Sequence, residues 1–366
     1  MIRARPHLST LDPYEPGTPV DQLIEAHGIN DAVNLALNES PFEPPAQVVA
    51  AVAAAGRRAN RYPEDGAPRL RAALGGHLGV APDAVAVGCG SVDMFQQLCL
   101  ALLDPGDSVV CGEVSFPEYW RTPRFLRAEA RRVPMDGLAL DVAAMARAVD
   151  ETTRLVIVAN PNNPTGTVVA PEALEALLDA VPEDVAILFD EAYADFCDPG
   201  RRPPSIEWLS RYDNLVVSRT FSKALGIGGV RLGYLVADPA FLAEVAKVHL
   251  PYDVSALAEA AGLAALSDEV LAIIEERVAL VRAQRHRITE VLRGARWPLS
   301  DAQGNFTFSP TSRGLELAGW FLERGIVVRG ISSIGLRITV GTPAENDRLC
   351  EAVAEFSAAN DVAAYF

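Results

Sequence analysis

The sequence predicts an α/β protein: a mostly parallel sheet covered by helices on both faces, with a second, smaller α+β unit. Three observations predict it. Between about residues 84 and 237, short apolar runs alternate with stretches of helical spacing. Those runs are apolar at every position rather than at alternate ones, the pattern of strands buried on both faces. Beyond about residue 300 the pattern changes to strand-like segments flanking single helices, as in an α+β unit.

In chain order, residues 1–45 read as an N-terminal arm that joins the small unit in space. Residues 46–250 read as the large domain and 251–366 as the small C-terminal domain. The buried strands of the large domain are Val85-Ala-Val87, Ser108-Val-Val-Cys111, Leu155-Val-Ile-Val158, Val185-Ala-Ile-Leu-Phe189, Leu215-Val-Val217 and Leu232-Gly-Tyr-Leu-Val236. Pro239 to about Ala283 is rich in Ala and Leu and reads as helix, interrupted near Pro251. In the small domain, Asn305-Phe-Thr-Phe308, Ile326-Val-Val-Arg329 and Leu336-Arg-Ile-Thr-Val340 are strand-like. They flank a helix near Leu315–Arg324, and a last helix follows Pro343.

Composition excludes several classes. A chain of 366 residues with a formal charge of −16 is a poor match for nucleic acid or an anionic membrane. No apolar run approaches the ~20 residues of a membrane helix, and the first residues lack the apolar core of a signal peptide. The five cysteines are odd in number and scattered, which predicts free thiols in a reducing cytoplasm. The five histidines never cluster, so neither a metal site nor a serine–histidine triad is expected.

Chemistry collects where the apolar runs end, the edge at which open α/β sheets bind ligands. Lys223, in Ser218-Arg-Thr-Phe-Ser-Lys223, emerges just past one strand and before a glycine-rich turn that holds Arg231. A partly desolvated amine beside another cation is set up to act as a nucleophile. Gly88-Cys-Gly-Ser91 precedes a helix and reads either as a phosphate cradle of backbone N–H groups or as a tight strand-to-helix turn. Asn160-Pro-Asn-Asn163-Pro-Thr-Gly166 is a stiff loop that aims an amide into the cleft. Asp190-Glu-Ala-Tyr193 ends another strand, and its carboxylate is either a helix cap or an acid with a cationic partner. A lysine, an acid, a phenol, an amide and a phosphate cradle, in order at successive strand ends, together describe a pyridoxal phosphate site. Lys223 would attach the cofactor, and Asp190 would keep its ring nitrogen protonated so that the ring withdraws electrons. Asn163 and Tyr193 would bond its phenolic oxygen. Gly90, Ser91, Val92, Thr220, Ser222 and Arg231 would complete the pocket around the phosphate.

The motifs YEPG (Tyr14–Gly17), LNESPF (Leu37–Phe42), RYPEDG (Arg61–Gly66), GCGS, PNNPTG, DEAY, SRTFSK, GGVRLGY and LRITVGTP (Leu336–Pro343) cover nearly the whole chain. By them it resembles the fold-type I, aspartate-aminotransferase-like enzymes, in the branch of histidinol-phosphate and aromatic aminotransferases. It looks most like the actinobacterial aromatic (phenylalanine) group. The resemblance implies that Lys223 also shuttles the substrate proton and that Arg337 clamps the substrate α-carboxylate. It places Asn38 near that carboxylate and Phe116 against the cofactor ring, with Tyr119 a neighbour. It places Tyr14 at the substrate, and Tyr62 at the cofactor phosphate of the other subunit of a homodimer. Arg329 is where the branch offers a second anion site. The implied reaction joins an aromatic L-amino acid to a 2-oxo acid such as 2-oxoglutarate. The alternatives are a histidinol-phosphate aminotransferase and a decarboxylase of the threonine-phosphate type.

Overall fold

The computed structural model describes residues 2–13 and 31–366. In chain order its strands are β1 (Val33–Leu35), β2 (Val85–Gly88), β3 (Ser108–Gly112), β4 (Glu129–Val133), β5 (Met135–Asp136), β6 (Ala139–Leu140), β7 (Thr153–Ala159), β8 (Ala186–Asp190), β9 (Leu215–Thr220), β10 (Gly233–Val236), β11 (Phe306–Pro310), β12 (Ile326–Ile331) and β13 (Gly335–Thr339).

The large sheet has the order β2-β10-β9-β8-β7-β3-β4. Strands β9, β8, β7, β3 and β4 pair in parallel, and β10 runs antiparallel to both neighbours. The exception has a local cause. The connection from β9 to β10 contains only a short 3-10 turn, and a parallel crossover needs a longer link, usually a helix. The six apolar runs of the sequence all form strands of this sheet, and alternate residues feed two cores. Ile187, Phe189 and Val217 bury on one face, Leu188 and Val216 on the other.

Three strands carried no apolar signal. Edge strand β4 reads Glu-Ala-Arg-Arg-Val and buries only Val133, because charge on an edge resists pairing with another sheet. The β5–β6 hairpin has two residues on each side, too few to show a period. The helical region after Pro239 is more divided than its composition suggests. It forms helices Pro239–Val245, Ala256–Ala265 and Asp268–Gly294. Pro251 cannot donate a helical hydrogen bond, and the Ser255 hydroxyl caps the second helix by accepting from Ala258 N at 3.1 Å. Helix Ala256–Ala265 packs against helices Ala46–Gly56 and Pro68–Leu78.

The small sheet has the order β1-β12-β13-β11, with β1 parallel to β12 and the other pairs antiparallel. N-terminal residues thus complete a sheet made by the last third of the chain. Helix Asp268–Gly294 bridges the two units through Arg285. That buried side chain donates to the carbonyls of Phe196 (2.8 Å) and Gly304 (2.9 Å) and pairs with Asp198 at 2.7 Å.

Candidate active site

The carboxyl ends of β7, β8 and β9, the turn after β2 and the start of β10 converge on one cleft, which β13 and the chain after β1 close from the other side. Asp190 is the last residue of β8. Its Oδ2 accepts from the Tyr119 hydroxyl at 2.7 Å and its Oδ1 from Ala192 N at 3.0 Å. Burial pushes the Asp190 carboxyl up from its ordinary value, while the two hydrogen bonds and Lys223 act the other way. Burial likewise pushes the Tyr119 phenol well up, with Asp190 beside it adding to the effect, so Tyr119 is a fixed donor.

Lys223 leaves the end of β9 and donates to the carbonyls of Asn38 (2.9 Å) and Leu37 (3.4 Å). Its Nζ lies 5.6 Å from the centre of the Tyr193 ring. Asn38 holds this corner together. It is fully buried with φ of 53°, its amide donates to the Tyr193 hydroxyl at 3.1 Å, and its Oδ1 accepts from Thr339 at 2.9 Å. Its carbonyl also accepts from buried Asn305 at 3.1 Å.

Arg337 projects from the central strand β13. One Nη donates to Asn163 Oδ1 at 2.6 Å and the other to the Ala36 carbonyl at 2.6 Å, and the guanidinium lies 5.6 Å from the centre of the Phe306 ring. The loop that presents Asn163 holds cis bonds at Asn160–Pro161 and Asn163–Pro164. Directly across the strand pair from Arg337 is Arg329. Like charges directly opposite repel, and among the described residues Arg329 has no hydrogen-bonding or ionic partner. The pair is built for anionic guests.

The cradle lies between Gly90 and Arg231. Gly90, with φ of 93°, caps helix Ser91–Leu102, and the Cys89 N–H is fixed on Asp93 Oδ2 at 2.9 Å. Arg231 is exposed with φ of 62° and donates to the Gly228 carbonyl at 2.7 Å and Ser222 Oγ at 3.4 Å. Thr220 donates to Ser222 at 3.0 Å. A Cβ on Gly90 would overlap the Arg231 guanidinium, and one on Gly233 would overlap the backbone of Gly90 and Ser91. Only glycines let β10 and its arginine approach the helix N-terminus this closely. The result is a cluster of N–H, hydroxyl and guanidinium donors of the kind that binds a phosphate. Together with the amine and the buried acid, these residues fit pyridoxal phosphate.

Lys223, Asp190, Tyr193, Asn163, Gly90, Ser91, Thr220, Ser222, Arg231, Asn38, Arg329 and Arg337 therefore fall in one region. Val92 sits in the first turn of the cradle helix, partly exposed, and Phe116 meets Tyr119 edge-on at 5.7 Å. The Asn38 side chain meets Tyr193 and Thr339, and Asn163 meets Arg337. Tyr62 stands apart, 84% exposed and in ring contact with Tyr252 at 5.0 Å. Tyr14 lies outside the described residues. Thr339 and Asn305 escaped sequence reasoning, although Thr339 stands inside LRITVGTP. Their role is to lock Asn38, a contact across the whole length of the chain that no local pattern records.

Comparison with known proteins agrees with this geometry. Residues 30–353 match the family model described as aminotransferase class I and II, so the chain belongs to that family of enzymes. It is 41% identical over 350 residues to an aromatic amino acid aminotransferase of Mycobacterium bovis, covering 94% of this chain and 96% of that protein. The protein of the same name from Mycobacteroides abscessus is 40% identical over 353 residues, with the same coverage. Among solved structures, histidinol-phosphate aminotransferase from Sinorhizobium meliloti in complex with pyridoxal-5'-phosphate superposes with a TM-score of 0.89 at 26% identity, covering 98% of both chains. Thermus thermophilus aspartate aminotransferase shares the fold, with a TM-score of 0.85 at 23% identity over 98% of this chain and 100% of the other.

Proposed function

We propose that this chain uses pyridoxal phosphate to move the amino group of an aromatic L-amino acid such as phenylalanine to a 2-oxo acid such as 2-oxoglutarate. It acts in the cytoplasm as a homodimer. The observation that carries the reading is the meeting, in one cleft, of the Lys223 amine, the donor-fixed Asp190 acid, the Arg231 cradle and the Arg337 clamp.

Bound there, the cofactor supplies an electron sink for the charge left when a substrate Cα loses its proton. The chain does the rest. Lys223 Nζ would hold the cofactor covalently and, freed by substrate, would be the base that moves the substrate Cα proton. Asp190 would keep a proton on the ring nitrogen, and that N–H would give the desolvated carboxylate a partner. The Tyr193 hydroxyl and the Asn163 amide would bond the ring oxygen. Ser91 N–H, Thr220, Ser222 and Arg231 hold the phosphate. Arg337 is already extended and held on two acceptors, so it presents a guanidinium fork to a carboxylate without a search.

The names of the mycobacterial relatives support the aromatic substrate. So does partly exposed Leu37 beside the amine, with Phe42 and Ile331 nearby in sequence to the clamp elements. Arg329 supports a second anionic group on one of the two substrates, such as the distal carboxylate of 2-oxoglutarate. Exposed Tyr62, Tyr252 and Leu250 support a dimer contact, and the five free thiols support the cytoplasm.

The same Arg329 favours a second reading, histidinol phosphate as amino donor. One experiment separates the readings. Purified protein with pyridoxal phosphate is mixed, without acceptor, with phenylalanine, tyrosine, histidinol phosphate, glutamate and alanine in turn while its visible absorbance is followed. Bleaching by phenylalanine and not by histidinol phosphate is expected. The reverse makes histidinol phosphate the donor. Carbon dioxide release without bleaching makes the enzyme a decarboxylase.

A further inference from the structure

Behind the catalytic row of the sheet runs a second row, and it is ionic. On the cleft side, Asp190, Ser218, Thr220 and Gly233 lie across the ends of β8, β9 and β10, with Asp190 opposite Ser218 and Gly233 opposite Thr220. One residue along, on the opposite face, come Glu191, Arg219 and Tyr234. Arg219 is directly opposite Tyr234, and it donates to Glu191 Oε2 through Nε at 2.9 Å and Nη2 at 2.8 Å. The other Glu191 oxygen accepts from Ser205 at 2.5 Å, and Arg202 stands 3.8 Å from the carboxylate. Glu191 is 2% exposed.

This pair stands where an apolar row would be expected. Burying two charges costs desolvation that their attraction seldom exceeds, so a hydrophobic pair of similar volume would hold the sheet as well. What an ion pair adds is direction: a carboxylate with three donors on it has one position. Burial alone would lower the Arg219 guanidinium, but Glu191 beside it outweighs that and holds it above its ordinary value. The pair also sits where the backbone ladder ends. Glu191 N donates to Ser218 O at 2.9 Å, the last backbone bond between the two strands. Beyond it the chain turns to Tyr193 on one side and to Ser222 and Lys223 on the other. A cavity of about 260 Å³ lies behind the row, lined by Glu191, Arg219, Tyr234 and Arg202 on one side and by Leu266 and Ile274 on the other, so packing behind the pair is incomplete.

We infer that Glu191 and Arg219 are positioning residues that set the separation of Asp190 and Lys223 across the cofactor. Neither touches the cofactor. The role rests on the functional reading above, because it needs a cofactor held between acid and amine.

The test removes both charges together, Glu191→Leu with Arg219→Met, so that no single charge is left buried. Three quantities are compared with the parent: thermal unfolding of the cofactor-free protein, the pH midpoint of the bound cofactor's visible absorbance, and kcat and KM in the half-reaction. We expect unfolding within a few degrees of the parent, a shifted absorbance midpoint, and kcat lower by roughly ten- to a hundredfold with KM nearly unchanged, the scale of a ~1 Å misplacement. A variant with lower stability but the parent's absorbance midpoint and kcat would show that the row is only structural. A variant that fails to fold would overturn the claim that an apolar pair replaces the ionic one in holding the sheet. A parent protein that takes up no cofactor would instead overturn the functional reading, and this role with it.

Discussion

Asp190 lies between opposing influences. Burial raises its pKa above the ordinary 3.8, and Tyr119, Ala192 and Lys223 pull it back. A carboxyl with a raised folded-state pKa favours folding below its ordinary value, and that contribution is lost as pH rises through the raised one. The protonated ring nitrogen reverses this by giving the carboxylate a partner. The rise in melting temperature on adding pyridoxal phosphate should therefore be larger near pH 8 than near pH 5, and Asp190→Asn should flatten the difference. Tyr119→Phe removes a donor and raises the carboxyl further. The acid limb of kcat should move to higher pH and kcat should fall by roughly tenfold or more; an unmoved limb would remove Tyr119 from the site. The places of Lys223, Asp190 and Asn163 were legible in the sequence because each lies at or just past the end of a buried strand. Tyr119 was only a neighbour, since its helix is anchored by Phe95 and Phe116, which meet its ring edge-on at 5.6 and 5.7 Å. Ring packing of that kind has no sequence period.

At the scale of elements, the approach of β10 to the cradle helix makes one glycine indispensable. In Gly233→Ala the new Cβ would meet backbone at Ser91, which cannot rotate away. Overpacking of this kind costs ~1–3 kcal/mol. Here the cradle must shift as well, so thermal unfolding should show lower stability and a cofactor titration should show weaker binding. The segment around Tyr252 offers a pH test. The Ala246 carbonyl and Asp65 hold the His249 imidazole above its ordinary 6.5. That stabilisation is complete below about pH 6.5 and is lost as pH rises through the raised value. Hydrogen exchange of residues 249–253 should therefore quicken between about pH 6 and pH 8, beyond the intrinsic rate change, and His249→Gln should abolish the excess. The six buried strands were legible from their apolar runs. Strand β4 was not, because an edge is defended by the very charges that hide it from a hydrophobic reading.

The whole molecule carries a charge of −16, and the cofactor and the proposed 2-oxo acid are anions. At low salt the global field opposes them, while Arg231, Arg329 and Arg337, beside the Lys223 amine, attract them locally. Screening shortens the field to about 10 Å at 0.1 M salt. The association rate of pyridoxal phosphate should consequently rise between ~0.01 M and ~0.15 M salt. Stopped-flow mixing would show it, and a falling rate would mean that the three arginines dominate.

The bonds from Ala36 and Asn38 to Arg337 and Thr339 span 301 residues. The segment around Asn38 must wait for one made 301 residues later. Until β13 is made, a growing chain has its lysine and its cradle but no carboxylate clamp, and Asn38 has no Thr339 to fix it against Tyr193. A nascent enzyme can therefore take shape around its cofactor well before it is able to hold a substrate, and competence arrives only once β13 is made.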